Sequence, residues 1–284
     1  MSISNAKIVS NAMQKIAPLE LAERAWDNVG LLVEAPFEKP GNNDVVIVND
    51  LTERVFNKVL ADHPSTSVIV SYHPPIFRAL KTITMDNSIQ RTVLKCIANG
   101  ISIYSPHTAC DAVRGGVNDW MFSAITGHST SQPIIPSNTT LANHQDAGMG
   151  RYGNFENAVS SSDIINRVKE HFKVDSLQFA DGGKKSFNSV AVCAGSGSSI
   201  LSKAPSVDLY VTGEMGHHDV LAAVAQGISV ILLNHSNSER MYLQTSLKDA
   251  LMNVMNLERE EAGIPAADYS VSACVADKDP LVSV

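Results

Sequence analysis

The segment VDLYVTGEMGHHDVLAAVAQGISVILLNHSNSERMYL, residues Val207–Leu243, decides the fold. Its apolar runs Val207–Val211 and Ile228–Leu233 are short, rich in β-branched residues and bounded by glycine. Runs of that kind suit parallel strands covered on both faces. The residues between them suit a helix, and a second helix is expected to open near Ser236. Each run delivers chemistry at its carboxyl end: Gly213-Glu214 and then His217-His218 after the first, His235 and Glu239 after the second. Open α/β sheets hold ligands outside the carboxyl ends of their strands. With a helix starting at Ser236, Glu239 lies one turn beyond His235, near enough to share a ligand.

Working outward, the first half repeats the pattern. VVIVND (45–50), SVIVSYH (67–73) and ISIYSPH (101–107) read as strands, as do SVAVCAG (189–195), VDLYVTG (207–213) and ISVILLNH (228–235). In both halves the third strand follows an Asn-Gly or Gln-Gly pair and ends in histidine. The expectation is an α/β protein of two interlinked, similar units with a cleft between them. The first is placed at 1–125 and completed by 240–284, the second at 126–239. Helices are expected over Ala6–Ile16, Leu19–Trp26, the segment behind VVIVND, Ser88–Ala98, Asp119–Ile125, Ser161–Phe172 and Ser246–Leu257, with a last strand at Tyr269–Val275. The Ser-, Thr-, Asn- and Pro-rich stretch Thr126–Gly150 reads as irregular, and Arg151–Asn157 carries no clear signal. Gly195-Ser196-Gly197 reads as a turn rich in free backbone amides.

Composition narrows the function. The chain has 284 residues, 44% hydrophobic and 18% charged, with a net charge of −7, ordinary for a water-soluble globular protein. That charge argues against direct nucleic-acid binding or an anionic membrane surface. No apolar run approaches the roughly 18 residues of a membrane span. Cys96, Cys110, Cys193 and Cys274 form no CxxC pair and read as reduced, buried residues. The amino-terminal segment makes a poor targeting presequence. A cytoplasmic location is expected, with nucleus and mitochondrion left open.

The strand ends supply Asp50, His73, His107, Asp111, Glu214, His217, His218, His235 and Glu239. This set of imidazoles and carboxylates, without a thiolate, suits a divalent metal with open positions better than a closed structural zinc. Each residue also has a structural alternative: Asp50 and Asp111 as helix caps, Glu239 on a solvated face, His217-His218 as a helix amino-terminus. No phosphate-loop pattern or Gly-x-Ser-x-Gly elbow accompanies the set.

WDNVGLL (26–32), SYHPPIF (71–77), YSPHTACDAVRGGVNDW (104–120), VTGEMGHHD (211–219) and NHSNSER (234–240) together resemble the NIF-three-like family, also described as GTP cyclohydrolase I type 2-like. The resemblance implies two interlinked α/β units, a dinuclear metal site between them and ring-shaped hexamers. It assigns metal binding to His73, Asp111, His235 and Glu239. Tyr72 stands where the family pattern has a histidine, which makes one ion of the Zn, Fe or Mn class a firmer expectation than two. Two roles stay open. One is a metal-dependent hydrolase acting on a nucleotide or phosphorylated metabolite, with His107 and Glu214 as candidate proton carriers. The other is a non-catalytic metal-dependent protein that binds a partner such as a transcription regulator.

Overall fold

A computed structural model describes residues 3–139, 141–263 and 269–282. Among these the strands are β1 Gly30–Val33, β2 Asp44–Val48, β3 Thr66–Ser71, β4 Ser102–Ser105, β5 Gln132–Pro136, β6 Gly148–Ser160, β7 Gln178–Ala180, β8 Ser186–Ser196, β9 Leu209–Glu214, β10 Ser229–Leu232 and β11 Val271–Ala273. The chain forms two compact α/β units. The first is Met1–Cys110 with Leu243–Asp277; the second is Asp111–Tyr242 with Lys278–Val284. The chain therefore leaves the first unit, builds the second and returns.

The first unit holds a five-stranded sheet in the order β1-β4-β3-β2-β11, parallel except for β1. Every residue of β3 and β4 is buried, which explains why Val68–Val70 and Ile103–Tyr104 show no polar alternation and why the strand ends carry only small Ser and Thr hydroxyls and no charge. Val46, Val48, Ile69 and Ile103 pack under Phe56, Val59, Val93 and Cys96 from the helices Glu53–Asp62 and Ser88–Ala98. On the opposite face the helix Asn5–Ile16, capped by Ser4, buries Ile8, Val9, Ala12 and Met13.

The second unit holds a six-stranded sheet in the order β5-β6-β8-β9-β10-β7. Strands β8, β9 and β10 are parallel, and β5, β6 and β7 run against their neighbours. Ala191, Cys193, Tyr210 and Val230 pack with Leu201, Ala223 and Ile228 on one face. Two of these strands depart from the expectation of irregular or unread chain. Gln132–Pro136 is a strand despite Pro133 and Pro136, because it sits at the sheet edge, where a missing N–H costs least. Gly148–Ser160 is a 13-residue strand bulged between Asn154 and Val159, and that bulge hides its alternation. At Leu19–Trp26 the expected helix shortens to one 3-10 turn, Leu19–Leu21.

The two units repeat one topology. In each, one strand (β1, β7) lies antiparallel beside the last of the three that follow it (β2-β3-β4, β8-β9-β10), and those three are parallel neighbours in chain order. The turns agree to the hydrogen bond. Asn99-Gly100 and Gln226-Gly227 both end a helix with the glycine left-handed, at φ 71° and 75°. Ile101 N–H reaches the Cys96 carbonyl at 2.9 Å, and Ile228 N–H the Ala223 carbonyl at 3.0 Å. Only a residue without Cβ takes that conformation cheaply, so both glycines are dictated by the stop.

Candidate metal centre

In the first unit the carboxyl ends of β2, β3 and β4 deliver Asp50, Tyr72-His73 and His107. His73 Nδ1 lies 3.0 Å from an Asp50 carboxylate oxygen. Asp50 is thus an imidazole partner and not a helix cap, a role that falls to Thr52, whose hydroxyl accepts from Val55 N–H. His107 Nδ1 lies 2.7 Å from Asp27, whose carboxylate also accepts from the Thr108 hydroxyl. Burial works against the Asp27 charge, but the hydrogen bonds from His107, Thr108 and the Asn28 amide hold its pKa below the ordinary value. The Tyr72 ring is buried and edge-on to both imidazoles, with centroids at 5.3 Å from His73 and 5.8 Å from His107. His73 and His107 stand 5.3 Å apart in the same manner.

In the second unit the carboxyl ends of β8, β9 and β10 deliver Gly195, Glu214 and His235. Asn234 takes a left-handed turn at φ 69°, a conformation asparagine tolerates, and sends the chain into the helix Asn237–Tyr242. His235 Nδ1 lies 2.9 Å from Glu214 Oε1, and its Nε2 lies 3.5 Å from Glu239 Oε1. Glu239 is 3% exposed, so it is a buried carboxylate beside an imidazole and not part of a solvated face. The Ser238 hydroxyl accepts from Gly195 N–H at 2.8 Å and donates to the His235 carbonyl at 2.6 Å, tying the end of β8 to this turn. Gly197 N–H goes to the Glu214 carbonyl. The amides of Gly195 and Gly197 therefore serve the fold, against the expectation of free amides in this turn.

Asp111 lies in the turn of helix Thr108–Ala112, held from behind. Asn118 Nδ2 donates to its carbonyl at 2.9 Å, while Asn118 Oδ1 accepts from Ala194 N–H at 2.9 Å. Burial pushes the Cys193 thiol pKa up, and the carboxylates of Asp111 and Glu239 push it the same way. His217 and His218 lie edge to face, 5.4 Å apart, on the exposed first turn of helix His217–Ala225.

In each unit the strand-end donors are of the kind a divalent cation takes. His73, His107 and His235 each hand Nδ1 to a carboxylate, which in a neutral ring leaves the lone pair on Nε2; metal-binding histidines are oriented by this second contact. In addition, a Cβ on Gly195 would come within 2.9 Å of Glu239 Oε1 and 3.0 Å of His235 Nε2. The absent side chain leaves room at the two donor atoms. The topological repeat adds that His107 and Asp111 in HTACD occupy the same place after β4 as His235 and Glu239 in HSNSE do after β10. Sequence reasoning missed Asp27, whose signal was only a turn-forming Asp-Asn pair.

Fold and donor set define a two-unit α/β protein with paired histidine–carboxylate strand ends. The family model described as Duf34/NIF3 (NGG1p interacting factor 3) matches residues 4–264, and the chain belongs to that family. The NIF3 homolog of Schizosaccharomyces pombe is 39% identical over 263 residues, covering 92% of this chain and 91% of that protein. NIF3-like protein 1 of Drosophila melanogaster is 38% identical over 279 residues, covering 97% and 88%. The crystal structure of a Bacillus cereus protein related to NIF3 superposes with a TM-score of 0.81 over the whole of both chains at 20% identity, a likeness of fold. No helix among the described residues is long and apolar enough to cross a membrane.

Proposed function

We propose that His73, His235 and Glu239 bind one divalent cation of the Zn, Fe or Mn class, with Asp111 as a further oxygen donor, and that the protein hydrolyses a nucleotide or phosphorylated metabolite there. The observation that carries this reading is the pairing of His73, His107 and His235 with a carboxylate through Nδ1. A cation held by these residues would supply Lewis-acid chemistry to the attacked group. The chain's own residues do the rest. Asp50 and Glu214 fix the His73 and His235 rings, Gly195 keeps the space clear, and His107, anchored by Asp27, is positioned to carry a proton. Glu214 keeps its second oxygen for the same work. A GTP cyclohydrolase-type ring opening is the concrete form of this reading, and a ring-shaped homo-oligomer goes with it.

The family's description as an NGG1p interacting factor favours a second reading, a metal-dependent binding protein without turnover. Purified protein loaded with Mn²⁺, Fe²⁺ or Zn²⁺ and offered a panel of nucleotides separates the two. Turnover lost in His235→Ala and Asp111→Ala supports the hydrolase. No turnover with any metal, together with metal-dependent retention of a protein partner, supports the binding role. Light scattering on the same samples reads the oligomeric state.

A further inference from the structure

Two large aromatic rings stand in solvent beside His107. Trp26 is 54% exposed and Phe77 45% exposed, with ring centroids 6.1 Å apart and planes inclined at 50°. Both also meet the His107 ring edge-on, at 6.0 Å and 6.4 Å. Folding alone would bury such rings, since each carries a large apolar area. Here the neighbouring residues keep them out. Asp27 is anchored inward by His107 and Thr108, and Asn28 Nδ2 donates to the Ile76 carbonyl, next to Phe77. The two polar residues after Trp26 thus fasten its segment and the Pro74–Phe77 turn at fixed positions. What remains outside is a preset aromatic pair. The exposed chain beyond Phe77 brings Arg78 and Lys81, cationic residues in a protein whose net charge is −7.

We propose that Trp26 and Phe77 form the subsite for a planar heteroaromatic ring, the base of a nucleotide, whose phosphates fall to Arg78 and Lys81. Aromatic side chains of this kind bind bases through stacking, which every base offers, and the tilted pair presents a face and an edge to one ring. The subsite deepens the hydrolase reading by naming what the substrate carries beside the reacting group. It stands on the first unit alone and needs no metal.

The test uses Trp120→Phe protein, in which Trp26 is the sole tryptophan, with EDTA present so that metal binding and turnover play no part. GTP and ATP are titrated against Trp26 fluorescence, with ribose 5-phosphate as the ring-free control. Saturable quenching by the nucleotides and none by ribose 5-phosphate is expected. Calorimetry should then show affinity lowered about tenfold or more in Phe77→Ala and Trp26→Ala, and largely kept in Trp26→Phe. Equal quenching by ribose 5-phosphate, or no quenching by either nucleotide, overturns the subsite. So does dissociation of an oligomer in Phe77→Ala without nucleotide quenching, because a second copy of the chain would then be the true cover. Quenching without turnover under any metal would leave the subsite standing and the hydrolase reading fallen.

Discussion

Gly195 and His235 meet where no side chain fits between them: a Cβ on Gly195 would lie 3.0 Å from Nε2 of His235 and 2.9 Å from the Glu239 oxygen. Gly195 also holds φ at 63°, a left-handed conformation that costs an alanine roughly 1–2 kcal/mol. Gly195→Ala should therefore do two separable things. Thermal unfolding should shift down by a few degrees. Affinity for Mn²⁺ or Zn²⁺ by calorimetry should fall about tenfold or more, beyond what the small stability loss explains.

Glu214 is expected to act through His235. Glu214→Gln keeps the side-chain shape but removes the charge that fixes the imidazole, so metal affinity should drop about 10- to 100-fold. The fold should survive, because Glu214 is exposed. Asp219→Asn, on the neighbouring exposed turn, serves as the control and should leave affinity unchanged.

Glu53 gives a pH-dependent stability with a definite sign. Hydrogen bonds from Arg91, and then from Lys95, hold its pKa down to about 2. A depressed carboxylate stabilises the fold above its unfolded pKa, near 4.5, and loses that contribution as pH falls through the folded value. Glu53→Gln should thus be less stable than the parent in urea unfolding at pH 7. The difference should shrink between pH 4.5 and pH 2 and vanish below.

Arg151 is fully buried in the second unit, 2.8 Å from Asp119 and bonded to the carbonyls of Gly148 and Gly150. Removing one member of a buried ion pair strands the other. Asp119→Ala should cost about 3–5 kcal/mol by denaturant titration.

The parallel strands were legible because burial on both faces favours short apolar, β-branched centres, as at Val45–Val48, Val68–Val70 and Val230–Leu233. The Asn-Gly and Gln-Gly stops were legible for the same local reason. What escaped depends on residues distant in sequence. Asp27 and His107 are 80 residues apart and Glu214 and His235 are 21 apart, so a turn-forming aspartate and a candidate proton carrier become imidazole partners only in the folded chain. The Gly195 amide looked free because its acceptor, Ser238, lies 43 residues on. Strand β5 escaped because Pro133 and Pro136 read as breakers, and an edge position, which excuses them, has no local signature. Strand β7 has only three residues, too few to show a period.

The central claim is that histidines oriented through Nδ1 hold one cation on Nε2. Anomalous X-ray diffraction from crystals soaked in Mn²⁺ or Zn²⁺ tests it most directly. The account predicts a peak about 2.0–2.2 Å from His235 Nε2 and a Glu239 oxygen, with His73 Nε2 on the same ion. Peaks only at other residues, or an ion there without an imidazole ligand, would contradict it.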